Sequence, residues 1–232
     1  MKLICLNFKM NLLEKDIINY LNVIDKKKLD NIVFFPNNIH LSYFKNKYII
    51  GSQDISFKDF GSITGDTSIH QLKEMGITYT LIGHSERRKY YNDDKYIKDK
   101  LKLALQNNIK AILCIGETLD DKKSNLKEVK LIEQLNILKD LNINDNNLII
   151  AYEPIWSIGT NIIPNNIELL NTILFIKNYL KDTFNLDLKV LYGGSVNLNN
   201  IHELEKINLD GYLIGSFSLN PNNLIELLDK IN

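Results

Sequence analysis

Glu153 is the first residue from which chemistry can be argued. Residues 148–151 form a short apolar run suited to a buried strand, and Pro154, which has no backbone donor, stops it at Glu153. A carboxylate therefore stands at the C-terminal tip of a strand. The segment 154–160 then carries Ile155, Trp156 and Ile158 where a solvated loop would carry polar side chains, so it reads as a loop that closes over something. Asn7 and Lys9 stand at the end of a second apolar run, 3–7, and His84 stands just past a third, 79–82. Taken singly these residues are ordinary. A lone strand-ending glutamate is more often followed by a loop packed on the core, Lys9 reads as a solvated lysine, Asn7 as a turn residue and His84 as a satisfied polar group. Taken together, a cation, an imidazole and a carboxylate at converging strand ends form a proton-transfer set with a charge stabiliser. Gly194-Ser195 and Gly215-Ser216, with Gly159, add backbone N–H groups with little side-chain obstruction, which is how a phosphate is cradled without a metal. A Gly-Ser turn by itself is weak evidence, because many tight turns need glycine for positive φ.

The elements that would position these groups follow from periodicity and punctuation. Strands are predicted at 3–7, 31–35, 48–52, 79–82, 111–115, 148–151, 189–192 and 211–214. Helices are predicted at 13–24, from an Asn37 or Asn38 cap through Phe44, and at 69–75, 93–106, 129–138, 167–180 and 222–231. In the helix 167–180, Ile167, Leu170, Ile173 and Leu174 recur at helical spacing. Residues 53–68 have little periodicity, and a structureless stretch beyond about 12–15 residues is usually functional, so this is expected to be an interaction loop. Eight strands alternating with helices, with no Pro-, Gly- or Ser-rich linker, point to an α/β fold: one (β/α)8 TIM barrel domain spanning 1–232. A doubly wound open sheet is the competitor, disfavoured because no Gly-x-Gly-x-x-Gly turn follows the first strand. In a barrel the C-terminal strand ends share one face, which brings Asn7, Lys9, His84 and Glu153 together.

Bulk properties limit the partners. The 28 basic and 28 acidic residues cancel, so no global field draws nucleic acid or an anionic membrane, and any anion site must be built locally. Cys5 and Cys114 lie inside apolar runs, which suits reduced, buried thiols in a cytoplasmic protein. No apolar run approaches the ~20 residues that span a bilayer, and the start leaves no room for a signal peptide. The heavy use of Asn, Lys and Ile is assigned to drift at loops and solvent faces. His40, His70 and His202 have no evident partners and are given no chemistry.

The segments NFKMN (7–11), IGHSERR (82–88), CIGETL (114–119), AYEPIWSIGT (151–160) and YGGSV (192–196) resemble the triosephosphate isomerase family, in its order and over nearly the whole chain. The resemblance implies that Glu153 is the base, His84 the electrophile, Lys9 the cationic stabiliser and Asn7 a residue that orients substrate. Glu86 matches a further active-site carboxylate. This family is itself the standard illustration of a glutamate base paired with a neutral histidine under a closing loop, so those roles are carried over rather than read from spacing. The implied reaction interconverts dihydroxyacetone phosphate and D-glyceraldehyde 3-phosphate through an enediolate, with no metal or organic cofactor. Gly159, Ser195, Gly215 and Ser216 are the implied phosphate contacts, and Tyr192 and Ser195 would hold the closed lid. The loop 53–68 would reach a twin subunit, with Thr64 near the partner's active site, making a homodimer.

The match departs from the family at Gly215-Ser216-Phe217, where two glycines and a small residue are usual. If Ser216 takes φ above zero, the strain is about 1–2 kcal/mol, and Phe217 would crowd the backbone donors. Two other classes stay open: a barrel that binds a phosphorylated ligand without catalysis, and an isomerase of larger sugar phosphates.

Overall fold

The computed structural model describes every residue except Lys26, Lys28 and Asn232, and those three positions of the expected 1–232 span lie outside the described residues. Eight parallel strands close on themselves in chain order: β1 (Leu3–Asn7), β2 (Ile32–Phe35), β3 (Ile49–Ser52), β4 (Tyr79–Ile82), β5 (Lys110–Ile115), β6 (Leu148–Tyr152), β7 (Val190–Tyr192) and β8 (Gly211–Ile214). This is the (β/α)8 barrel that the alternation of elements predicts. The seam pairs β8 with β1, Leu3 opposite Gly211 and Leu6 opposite Ile214. Gly211 has φ +155°, and a Cβ there would stand 1.9 Å from Leu3 O, so closure of the seam depends on glycine.

The strands are apolar on both faces because both are buried. Successive residues point to opposite sides. Cys5, Val33, Phe35, Ile112, Cys114, Leu191 and Leu213 form a cluster drawn from strands alone, which is the barrel interior. Their neighbours Ile4, Leu6, Phe34, Leu113 and Ile150 join a larger cluster with residues from the helices, which is the layer between barrel and coat. The helices are α1 (Glu14–Ile24), α2 (Leu41–Phe44), α3 (Ile69–Glu74), α4 (Ser85–Tyr91), α5 (Ile97–Gln106), α6 (Leu119–Lys123), α7 (Lys127–Leu135), α8 (Asn166–Phe184), α9 (Ile201–Leu204) and α10 (Pro221–Leu228). None of the described helices is long and apolar enough to cross a membrane.

The abundant asparagines have structural work that drift does not describe. Asn37, Asn165 and Asn220 cap helix starts, accepting from backbone N–H groups. Asn46, Asn92, Asn108, Asn125, Asn161 and Asn185 supply six of the nine described left-handed positions that are not glycine. Asparagine tolerates that region because its short amide bonds locally. Other expectations need correcting. Ser85 to Tyr91 form a further helix, which is not among those predicted from the sequence. In α8 the apolar spacing traces the wrong face in part: Ile167, Leu170 and Leu174 are 74%, 39% and 47% exposed, while Leu169, Thr172, Ile173, Ile176 and Leu180 face the barrel. With apolar residues on both sides of the helix, spacing alone does not say which side is covered. His70 has a partner, Asp59 Oδ1 at 2.5 Å, and stacks on Phe60 with centroids 4.5 Å apart.

Candidate active site

The chain-terminal ends of the strands surround a cavity of about 390 Å³ lined by Asn7, Lys9, His84, Glu153, Gly159, Ser195, Gly215 and Ser216. Eight of the nine residues singled out from the sequence therefore meet there. The ninth, Glu86, stands behind them and binds Lys9.

Glu153 is fixed by backbone on both sides. Its N–H donates to Ile115 O at 2.7 Å, and Gly193 N–H donates to Tyr152 O at 2.8 Å, so strand pairing with β5 and β7 runs on past β6. The residue is 2% exposed. Its Oε1 lies 3.4 Å from His84 Nε2, while its Oε2 is buried with no hydrogen-bond partner among the described residues. A buried oxygen without a partner is costly unless a ligand serves it. Beneath it, burial first and then the Glu153 charge push the Cys114 thiol well up, so that side chain stays a neutral thiol.

His84 caps α4. Its Nδ1 accepts from Glu86 N–H at 3.2 Å, which requires a lone pair on Nδ1 and leaves the ring proton on Nε2, the nitrogen that faces Glu153 and the cavity. The tight turn before it is possible because Gly83 adopts φ +72°.

Lys9 sits in a left-handed conformation, φ +51°, in the turn after β1. Asn7 Oδ1 accepts from Lys9 N–H at 3.0 Å, and Gln53 Nε2 donates to Lys9 O at 2.8 Å and to Phe35 O at 2.9 Å. The ammonium reaches Glu86 Oε1 at 2.6 Å, and its stem passes Gly215, where a Cβ would come 3.4 Å from Lys9 Cε. Glu86 thus holds the cation, while Asn7 and Gln53 hold the backbone turn that carries it.

The lid lies against the turn after β7. Asn161 N–H donates to Ser195 Oγ at 3.2 Å, and Ser195 Oγ donates to Ser157 O at 2.6 Å. Its near end is anchored by Glu117, which is fully buried and accepts from Trp156 Nε1 at 2.8 Å and from Tyr152 OH at 3.1 Å. Desolvation pushes the Glu117 carboxyl up, and the Trp156 hydrogen bond pulls it partly back. Ser216 begins a single helical turn, 216–219, and is not at positive φ, so the anticipated backbone strain is absent. Phe217 packs in part on the core and borders the cavity without filling it.

Sequence reading passed over Gln53, Glu117 and Ser157. Gln53 follows directly on β3, so its place as a polar residue at a strand tip was a usable signal. Glu117 lies in the CIGETL segment but its partners are distant in sequence, and nothing local marks Ser157.

A family model described as "Triosephosphate isomerase" matches residues 2–231. Among curated proteins of that name, one from Saccharomyces cerevisiae is 36% identical over 241 residues, covering 97% of this chain and 95% of its own length. One from Buchnera aphidicola is 36% identical over 248 residues, 99% of this chain and 98% of its own. A third, from Mycoplasmopsis agalactiae, is 38% identical over 210 residues, 86% of this chain and 80% of its own. Likeness of this depth from one end of the barrel to the other means that the chain belongs to the triosephosphate isomerase family.

Proposed function

We propose that this chain interconverts dihydroxyacetone phosphate and D-glyceraldehyde 3-phosphate in the cavity at the strand ends, with Glu153 moving the proton. The observation that carries the reading is the Glu153 carboxylate: it lines the cavity at the strand ends, nearly buried, with Oε1 3.4 Å from His84 Nε2. A substrate carbon beside a carbonyl gives its proton to the Glu153 carboxylate and receives it back one carbon along. The charge that develops on the substrate oxygens is met by His84 Nε2–H and by the Lys9 ammonium, groups already in place before reaction. Asn7 orients the substrate and holds the Lys9 turn. Glu86 keeps Lys9 and His84 in register through one side-chain and one backbone contact. Gly159, Ser195, Gly215 and Ser216 receive the phosphate, and the lid excludes water, which would otherwise let the intermediate lose phosphate. The reaction calls on no metal or organic cofactor.

One barrel domain over 1–232 carries the site. The chain acts in the cytoplasm as a homodimer, with the loop 53–68 inserted into its twin and Thr64 approaching the partner's active site. Exposed Met10, Leu13, Phe60, Tyr90 and Tyr91, in the segments that follow β1, β3 and β4, support such a contact. Sedimentation of the purified protein at the mass of one chain would refute it.

The test of function is the isomerisation rate with glyceraldehyde 3-phosphate for the wild type and Glu153→Gln. The variant should lose about 10²- to 10⁴-fold, the range for removing a general base. Equal rates for the two proteins, with a phosphate analogue still bound, would leave a binding barrel as the answer.

A further inference from the structure

One buried hydroxyl sits where the lid is fastened. Ser157 is fully buried and ends the single helical turn Ile155–Ser157 at the start of the lid. A serine hydroxyl has one proton to donate and two lone pairs to offer, and here all three are used. Ser157 Oγ donates to Ile162 O at 2.5 Å, on the lid's returning limb. Since its proton is committed there, Tyr192 OH is the donor in their 3.2 Å contact. Ser195 N–H takes the remaining lone pair at 3.4 Å. The Ser157 carbonyl meanwhile accepts from Ser195 Oγ, which accepts from Asn161 N–H. Ser157 thus ties the two limbs of the lid to each other and both to the turn after β7. The returning limb has little else to give that turn, because Ile162 N–H goes to Thr160 Oγ1 at 3.2 Å and Pro164 has no N–H. The fit is close: a Cβ on Gly194 would stand 2.1 Å from Tyr192 OH and 2.8 Å from Ser157 Oγ.

We infer that the Ser157 hydroxyl is a clasp that sets how long the lid stays shut, and through it how the intermediate divides between isomerisation and loss of phosphate. The inference rests on the site roles proposed above, and Ser157 is a positioning residue, acting through the lid. If the lid lifts early, the enediolate oxyanion's electron pair becomes an aldehyde carbonyl, the carbon–carbon double bond moves one carbon along, and the carbon–oxygen bond to phosphate breaks. Phosphate leaves with that bonding pair, and the enol aldehyde that remains tautomerises to 2-oxopropanal. No oxidant or reductant is needed.

The experiment measures isomerisation and inorganic phosphate release side by side, starting from glyceraldehyde 3-phosphate, for wild type, Ser157→Ala, Tyr192→Phe and the double variant. Phosphate released per isomerisation should rise roughly tenfold in Ser157→Ala, the weight of one buried hydrogen bond, with KM raised more than kcat is lowered. Tyr192→Phe should give a smaller rise and add little to Ser157→Ala, because the contact it removes is one of the three that Ser157→Ala removes. Unchanged phosphate release per turnover, or strictly additive effects, would overturn the clasp. If Ser157→Ala does not fold, Tyr192→Phe, which keeps the ring packed, decides by the same readout. A wild type that turns over no triose phosphate would overturn the site roles and the clasp with them, an outcome distinct from normal isomerisation with an unmoved partition.

Discussion

Gly193 leaves open the space that the Glu153 side chain fills, and that makes it the sharpest place to test the assignment of the base. A Cβ at position 193 would stand 2.6 Å from Glu153 Cγ, 3.3 Å from Oε1 and 3.4 Å from Cδ. Non-bonded carbons keep roughly 3.5–4.0 Å, so in Gly193→Ala the side chain of Glu153 must retreat by about 1 Å. Gly193 is not among the positive-φ positions, so alanine brings no backbone strain and the substitution acts through this one contact. The end of a glutamate moves more easily than β6 or β7, which are buried and paired on both sides, so the displacement falls on the carboxylate and not on the barrel. Misplacing a reacting group by about 1 Å can lower a rate by ~10²-fold. The overpacking itself should cost about 1 kcal/mol, the low end of the usual range, because a flexible side chain absorbs it. The assay is kcat with glyceraldehyde 3-phosphate beside a thermal melt. A variant that keeps near wild-type turnover would show that Glu153 does not work from the position seen here. One that loses turnover and unfolds together would show that the barrel, not the base, had yielded.

Two further outcomes follow from the same structure. Lys100 in α5 is 2% exposed and holds both Asp54 and Asp93 at 2.7–2.8 Å, with Arg87 as a second cation 2.9 Å from Asp54, so Lys100→Met should destabilise the fold by about 3 kcal/mol in urea unfolding, chiefly the cost of leaving the buried Asp93 without its close cation. Burial already pushes Asp54 up, with Lys100 as the main opposing influence. The variant's deficit should therefore be full at neutral pH and shrink as the pH falls and the carboxyl takes up a proton; a deficit that grew in acid would refute the pairing. Ser216→Gly should not stabilise the protein, because Ser216 has no left-handed strain to relieve. A rise in thermal midpoint worth ~1 kcal/mol would contradict the backbone seen here.

Eight strands and the barrel were legible because both faces of each strand are buried, which writes them as short apolar runs between punctuating turns. The strands β1, β4 and β8 fall where the runs do, to the residue. Helix faces were less legible. In α8 the sequence has apolar residues on both sides, and only the packed barrel decides that Ile173 is covered while Ile167 is bare. Asn7, Lys9, His84 and Glu153 could be named from residue type and strand-end position, since barrel closure brings all such ends to one face. What the sequence could not supply is the set of contacts made across that face. Gln53 under the Lys9 turn, Glu117 beneath Trp156, Gly193 against Glu153 and Ser157 between Tyr192 and Ile162 join residues up to 44 positions apart. Nor does a serine at the start of the lid or a glutamine at a strand tip carry a local signature of its partner. Local pattern thus determined which residues reach the rim, because burial and periodicity are properties of the chain. The tertiary structure decided what each one touches there, because hydrogen-bond geometry exists only once β1 has closed against β8.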